Sequence, residues 1–165
     1  IALPHELQEM APAFRHFPAD ALPLIATRGA SLRLIMGEIL GEASPVTTYS
    51  STLYAECQLE TGARLELPFT VEQLAIYLAE GAAAVGGKAL KAGEMLVLSP
   101  RDNVELLGQD TARLMLVGGE PLGQRHMFWN FVSDDPSRIE QAKNDWRAGR
   151  FAPVPGDPDF IPLPE

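Results

Sequence analysis

Short apolar runs separated by Gly, Pro, Asn or Asp follow one another along the chain from residue 31 onward. This spacing is typical of antiparallel strands in a sandwich or barrel. Apolar and polar positions alternate most regularly in LYAECQLE, residues 53–60, where every second residue is apolar. The pattern therefore predicts an all-β core. The runs span residues 31–40, 52–60, 63–67, 74–79, 95–98, 104–107, 112–117 and 125–132.

The pattern changes to helical spacing in DDPSRIEQAKNDWRAGR, residues 134–150. Asp135 suits an N-cap, Pro136 suits the first helical position, and Gly149 can end the helix in a left-handed conformation. We therefore expect one C-terminal helix, packed on the outside of the sheet. Its apolar stripe consists of Ile139, Ala142 and Trp146.

Prolines concentrate at both ends of the sequence. Four lie between residues 4 and 23, and five lie in residues 151–165. Such density prevents long helices and favours extended arms. We therefore expect one domain with four parts. These are an extended leading arm at 1–28, a barrel at 29–133, a helix at 134–150 and a Pro-rich tail at 151–165 packed on the barrel.

Composition and charge narrow the function classes. The 165 residues are 46% hydrophobic and 21% charged, as in an ordinary soluble domain. A net charge of -9 opposes direct nucleic-acid binding, which relies on clustered Lys and Arg. No apolar run approaches the roughly 20 residues that span a bilayer, so no membrane association is expected. We expect a cytoplasmic protein.

Candidate nucleophiles and metal ligands are few. The single cysteine, Cys57, lies on the apolar face of its predicted strand and is expected to be a core residue. No Gly-x-Ser-x-Gly motif occurs, and the nearest match to a phosphate loop has Ala82 and Ala89 at required positions. No catalytic residue is predicted. The histidines, for which we expect structural roles, are His5, His16 and His126.

Two segments resemble the metal-binding motifs of the cupin family. GARLELPFTVEQLAIYLAEG resembles the first motif, with Gly62 and Gly81 matching its ends, and KAGEMLVLS resembles the second. The resemblance implies that a cupin's three His and one Glu ligands would stand at four positions of this sequence. Pro and Leu cannot ligate a metal, and a lone Thr is a poor ligand, so we expect no metal in this chain. The four positions are Pro68, Thr70, Leu74 and Leu96.

Longer stretches resemble the carboxyl-terminal half of pirin-like proteins, a family of the cupin superfamily. They are SLRLIMGEILGEASPVTTYSSTLYAECQLETGARLELP, LMLVGGEPLGQRHMFWNFVSDDPSRIEQAKNDWRAGRF and VPGDPDFIPLPE. The resemblance implies an antiparallel double-stranded β-helix, the cupin or jelly-roll barrel. It also implies a bicupin, a protein with two cupin domains, whose amino-terminal half binds a transition metal. The expected metal is iron. Some members have quercetin-dioxygenase activity, and others regulate through protein contacts.

Three functional hypotheses remain open. The first is a metal-free carboxyl-terminal cupin domain with a structural and interaction role, whose partner is an N-terminal cupin half, a second copy or another protein. We expect the chain alone to expose an apolar face and to self-associate. The second is one part of a metal-dependent quercetin 2,3-dioxygenase whose active site lies in an amino-terminal half. Because the sequence starts with Ile1, we expect a fragment or a processed chain.

The third hypothesis is a barrel that binds a small apolar ligand. Thr70, Tyr77 and Met95 would then line the mouth of the barrel. Simple core packing of the same three residues is the alternative.

Overall fold

The computed structural model describes residues 2–68, 70–99 and 103–164. The chain divides into two compact units. The barrel unit is Pro12–Pro121, and the helical unit combines Ile1–Ala11 with Leu122–Glu165. Within the described residues, no helix combines the length and the apolar character needed to cross a membrane.

The barrel unit consists of antiparallel strands in two main sheets. The six-stranded sheet has the order β1-β2-β5-β12-β7-β10, and the four-stranded sheet has the order β6-β11-β8-β9. A separate hairpin, β3–β4, follows β2. The strands are β1 (Leu24–Thr27), β2 (Ala30–Met36), β3 (Glu38–Ile39), β4 (Glu42–Ala43), β5 (Thr52–Leu59), β6 (Arg64–Pro68), β7 (Gln73–Glu80), β8 (Ala82–Val85), β9 (Lys88–Lys91), β10 (Met95–Leu98), β11 (Asn103–Gly108) and β12 (Ala112–Gly119).

One hydrophobic core lies between the two sheets. Because side chains alternate along a strand, every second residue of the central strands is buried while its neighbours face outward. On β6, Leu65 and Leu67 are the buried members of this alternation. Full burial of one such Leu or Ile side chain contributes about 1.5–3 kcal/mol. The large fully buried side chains are Leu32, Leu34, Ile39, Leu53, Leu59, Leu67, Leu74, Ile76, Leu78, Leu106, Leu114 and Leu116.

The two glycines at the ends of the cupin-like segment have different surroundings. Gly62 (φ +79°) and Gly81 (φ +78°) both have left-handed backbones, which other residues adopt only with strain. A Cβ on Gly62 would meet nothing within 4 Å, whereas a Cβ on Gly81 would lie 2.0 Å from the Thr111 carbonyl oxygen. Gly81 joins β7 to β8, close to a register irregularity at Arg113/Leu114 where β12 pairs with β7. The structure therefore needs Gly81 for space and Gly62 only for its backbone angle.

The helical unit contains the hairpin β13 (His126–Phe128) and β14 (Phe131–Ser133), followed by α1 (Pro136–Arg147). A 3₁₀ turn, His5–Leu7, belongs to the same unit, and a second, Ala19–Ala21, lies in the barrel unit. The predicted N-cap is confirmed, because the Asp135 carboxylate accepts a hydrogen bond of 2.8 Å from the Ser137 backbone N–H. Gly149 has the left-handed conformation expected after the helix (φ +64°).

Long-range contacts join the two segments of the helical unit. Arg138 forms an ion pair with Glu9 at 2.7 Å, and His5 Nδ1 lies 2.6 Å from a carboxylate oxygen of Asp134. The hydrogen bond from Arg138 lowers the pKa of Glu9. The pKa of Asp134 is also lowered, first by a hydrogen bond with Gln8 and then by His5. These contacts fix the segment around residues 5–9 on the start of α1.

An aromatic cluster holds the tail of the helical unit. Trp146 packs against Trp129 at a ring-centroid distance of 5.0 Å and stacks on Phe160 at 5.8 Å. Phe151 lies 5.4 Å from Trp146, whose indole N–H donates a hydrogen bond of 2.8 Å to the Ile161 carbonyl. Trp146 thus connects α1 to the tail at Phe151, Phe160 and Ile161.

The all-β antiparallel fold with one C-terminal helix is confirmed. The structure divides two of the predicted runs. The run 31–40 breaks at Gly37 (φ +87°) into β2 and β3, and the run 125–132 forms a hairpin instead of one strand. β1 lies within the predicted arm 1–28. The four-part domain division, with the tail on the barrel, stays a prediction.

Candidate functional site

Two of the four degenerate ligand positions line one cavity of the barrel unit. Pro68 is the last residue of β6 and is half-buried, and Thr70 lies exposed two residues later. The Thr70 hydroxyl donates a hydrogen bond of 3.3 Å to the Glu38 carbonyl oxygen. The cavity has a volume of about 670 Å³. It is lined by Gly37, Glu38, Ile39, Leu40, Gly41, Glu42, Ala43, Ser44, Val46, Thr48, Ser51, Thr52, Pro68, Thr70 and Val71.

The hairpin β3–β4 forms one wall of this cavity. Its base is fixed by Ser44, whose N–H donates to the Gly37 carbonyl at 2.9 Å and whose hydroxyl donates to the Ile35 carbonyl at 2.7 Å. Its turn is Leu40–Gly41, and both residues have positive φ angles of 53° and 82°. A two-residue turn of this kind suits Asn or Gly better than Leu. The cavity wall thus includes a strained apolar residue.

The lining of the cavity mixes apolar side chains with many polar groups. It includes hydroxyls from Ser44, Thr48, Ser51, Thr52 and Thr70, together with two glutamates on the hairpin. Lys, Arg and His are absent from the described residues that line it. An anionic ligand would therefore find no complementary charge, and an apolar ligand would leave many polar groups without hydrogen bonds.

The other two degenerate positions belong to the hydrophobic interior. Leu74 is 1% exposed and is part of the core, and half-buried Leu96 on β10 packs against that core. Leu96 pairs in register with Ile76 of β7. Over residues 2–68, 70–99 and 103–164, the structure contains no group of three or more His, Cys, Asp or Glu placed to hold a metal ion. The four positions thus present two leucines, a proline and one hydroxyl.

Tyr77 and Met95 lie apart from Thr70. They pair in register between β7 and β10, and Met95 is 57% exposed. Because Leu74, Ile76 and Leu78 of β7 point into the core, Tyr77 points to the opposite side of the sheet. Of the three residues predicted to line a barrel mouth, only Thr70 lines the cavity.

The side of the six-stranded sheet that faces away from the core has an apolar surface. Met95, Tyr77 and Met115 form one row across β10, β7 and β12, in register. A second row crosses the same strands two residues away. Val97 and Val117, at the two ends of that row, are 72% and 44% exposed. We call these six residues the outer apolar face: Ala75, Tyr77, Met95, Val97, Met115 and Val117.

Cys57 lies in the core and takes no part in either surface. Burial, with a smaller contribution from Glu56, raises the pKa of its thiol to about 12. The thiolate, which is the reactive form of cysteine, is therefore scarce at neutral pH. The structure supports the prediction that Cys57 is a core residue.

Comparison with known proteins gives consistent results. The model of the pirin C-terminal cupin domain family matches residues 54–152. A pirin-like protein of Caulobacter vibrioides is 42% identical over 100% of this chain and 58% of its own length. A Pseudomonas aeruginosa protein provisionally named quercetin 2,3-dioxygenase is 33% identical over 90% of this chain and 48% of its own length.

A solved structure agrees with these relatives. The crystal structure of a quercetin 2,3-dioxygenase from Acinetobacter baumannii superposes with a TM-score of 0.90 at 27% identity. The superposition covers 100% of this chain and 56% of the Acinetobacter baumannii chain. The chain spans about half the length of the curated relatives it matches. The cupin fold is confirmed, and the chain belongs to the pirin C-terminal cupin domain family.

Proposed function

We propose that this chain is a metal-free cupin domain with a structural and interaction role, which supports a metal-binding amino-terminal half of the same protein. The observation that carries the proposal is the position of Leu74 and Leu96. Both pack in or against the hydrophobic core, where the cupin resemblance would place a Glu and a His. Hydrophobic packing at these two positions supports a carboxyl-terminal domain without a metal site.

The chemistry of the remaining two positions agrees with this proposal. Transition metals bind imidazole, thiolate and carboxylate groups in proteins, and Pro68 has no such group. The Thr70 hydroxyl donates its hydrogen to the Glu38 carbonyl, and a neutral hydroxyl is a weak ligand. One weak ligand cannot hold a divalent metal ion in competition with water.

Metal analysis tests the proposal. The purified chain is incubated with excess Fe²⁺, Mn²⁺ or Ni²⁺, dialysed, and analysed by plasma mass spectrometry. We expect less than about 0.1 ion per chain, because a stable site needs several protein ligands. The full-length Caulobacter vibrioides relative, treated in parallel, should retain about one ion. About one ion on the isolated chain, or none on the longer relative, would each contradict the proposal.

The comparisons favour a second candidate, in which the whole protein is a quercetin 2,3-dioxygenase. Its support is that the Pseudomonas aeruginosa relative and the Acinetobacter baumannii protein of known structure both carry the name of that enzyme. Oxygen uptake with quercetin tests it. A full-length protein that contains this domain should consume oxygen when loaded with iron, manganese or nickel, and the isolated chain should not. No turnover with any of the three metals would exclude this candidate.

The hypothesis of a small apolar ligand has less support. The cavity next to Thr70 has five hydroxyls and two glutamates among its apolar lining residues, and an apolar ligand would leave these polar groups without hydrogen bonds.

A further inference from the structure

The cavity of the barrel unit has no role in a metal-free scaffold. We propose that it is a binding site for a small neutral molecule that carries several hydroxyl groups on an aliphatic frame, of the size of a monosaccharide. Such a site is additional to the structural role proposed above, and its described lining residues all belong to the barrel unit. Its volume of about 670 Å³ is within the range of about 300–1,000 Å³ that is usual for small-molecule pockets.

Hydrogen bonds join the segments that line the cavity. Ser44 fixes the base of the β3–β4 hairpin through its backbone N–H and its hydroxyl. The Thr70 hydroxyl bonds to the Glu38 carbonyl oxygen and so ties the chain after β6 to the same hairpin. The Ser51 backbone N–H donates a hydrogen bond of 2.9 Å to the Glu120 carboxylate, just before β5 begins. The cavity thus has its shape before a ligand binds, as most small-molecule sites do.

Two hydroxyls of the lining are free to bind a ligand. The hydroxyls of Ser44, Thr52 and Thr70 donate to backbone carbonyls. Those of Thr48 and Ser51 form no hydrogen bond with any residue in the described part of the chain. A free hydroxyl both donates and accepts a hydrogen bond. It therefore pairs well with the hydroxyl of a ligand, which has the same two capacities.

The charges of the lining oppose an ionic ligand. A phosphate or carboxylate would have no cationic partner among the described lining residues. The Glu38 and Glu42 carboxylates could attract a cation, but the register of the hairpin separates them. Glu42 lies opposite Ile39, the neighbour of Glu38, so the two glutamate side chains leave opposite faces of the hairpin. They cannot converge on one ammonium group, whereas a single carboxylate can accept hydrogen bonds from two adjacent hydroxyls of a polyol.

Apolar side chains complete the lining, and they are Ile39, Leu40, Val46, Pro68 and Val71. A sugar or cyclic polyol has C–H groups on the faces of its ring and hydroxyls around the edge, so both kinds of lining group find a counterpart. The described lining residues include no aromatic ring, so a flat aromatic ligand would have nothing to stack on. The mixed lining therefore favours an aliphatic polyol over a hydroxylated aromatic compound.

An NMR titration of the chain tests the proposal. The probes are D-glucose, D-galactose and myo-inositol, each added to about 100 mM while the backbone amide shifts are followed. We expect saturable shifts with at least one probe, confined to amides of the cavity such as those of Thr48, Ser51 and Thr70. An ordinary ligand efficiency for a molecule of about 12 non-hydrogen atoms gives a Kd of about 1–10 mM. Shifts that stay linear in concentration for all three probes, or that saturate at amides elsewhere, would overturn the proposal.

Three further probes test the chemical class of the ligand. Putrescine carries two ammonium groups, glucose 6-phosphate adds an anion to a sugar, and catechol places two hydroxyls on an aromatic ring. Each should bind more weakly than the best neutral polyol, because the cavity leaves the charge of the first two unpaired and the ring of the third without a stacking partner. Equal or tighter binding at the cavity by any of the three would refute the neutral aliphatic class.

A pair of variants locates the site. Thr48→Val removes one free hydroxyl and keeps the shape of the side chain, and Thr111→Val is the matched control at an exposed residue outside the cavity. Loss of one hydrogen bond should raise the Kd of the best neutral probe about 3–10-fold in Thr48→Val and leave it within about 1.5-fold in Thr111→Val. Circular dichroism checks that each variant folds, and Ser51→Ala replaces Thr48→Val if the latter does not. An unchanged Kd in the folded cavity variant would show that the probe binds elsewhere and that the proposal is wrong.

Discussion

Replacing Gly81 by Ala should destabilise the protein far more than replacing Gly62 by Ala. Both glycines have nearly the same positive φ angle, so both substitutions impose the same backbone strain. Only at Gly81 does the new methyl group meet backbone atoms, with the Thr111 carbonyl oxygen at 2.0 Å and the Ala112 Cα at 2.9 Å. The pair therefore separates the cost of the backbone angle from the cost of the collision.

The magnitude follows from two contributions. Placing a non-glycine residue in the left-handed region costs about 1–2 kcal/mol, and this is the whole expected effect at Gly62. At Gly81 the start of β12 must also move, and overpacking of this kind costs about 1–3 kcal/mol more. The lower entropy of the unfolded chain favours Ala at both positions and cancels in the comparison. The expected difference in free energy of unfolding is thus about 2 kcal/mol.

Thermal unfolding followed by circular dichroism measures this difference. For a chain of this length, about 2 kcal/mol corresponds to a gap of roughly 4–8 °C between the two variants. Urea unfolding should give the same order of stability at unchanged slope. Equal losses of stability in the two variants would refute this reasoning, because they would mean that Thr111 and Ala112 lie farther than 2.0–2.9 Å from the new methyl group.

Three further predictions concern single side chains. Hydrogen bonds from Ser137 lower the pKa of Asp135, so their stabilisation is present at neutral pH and is lost as the pH falls through that lowered pKa. Asp135→Asn keeps an N-cap acceptor without this titration. Between about pH 7 and about pH 3, the free energy of unfolding measured with denaturant should fall less for Asp135→Asn than for the wild type. Trp146→Phe removes the hydrogen bond to Ile161, so limited proteolysis should release the tail faster while the barrel stays intact. Iodoacetamide should alkylate buried Cys57 only after denaturant is added, and rapid native labelling would contradict its raised pKa.

The sequence predicts the structure correctly where a local pattern or a single side chain determines it. The alternation in residues 53–60 requires no knowledge of neighbouring strands, and the structure buries the predicted face of β5. Asp135 and Pro136 likewise define the start of α1 through their own side chains. Gly37 shows the limit of this reasoning. Its Cβ would lie 1.9 Å from the Thr52 carbonyl oxygen, so a contact between residues distant in sequence requires glycine at the break between β2 and β3.

The site and the outer apolar face depend on strand pairing, which periodicity does not reveal. Alternation along β7 could have placed Tyr77 on the outside, since Leu74, Ile76 and Leu78 form the opposite set. It could not have shown that Met95 lies beside Tyr77, because that follows from the register of β7 with β10. The cavity wall at β3–β4 was missed for a similar reason. Its only sequence signal is the pair Gly37 and Gly41, four residues apart.

The two-segment construction of the helical unit has a consequence for synthesis on the ribosome. Glu9 and Arg138 are 129 residues apart in sequence, as are His5 and Asp134. At about 5–20 residues per second, the earlier segment waits roughly 6–26 s before its partners are translated. During that interval its residues can be captured by the α1 helix of a neighbouring chain. Crowded translation should therefore favour chains linked by exchange of the segment around residues 5–9.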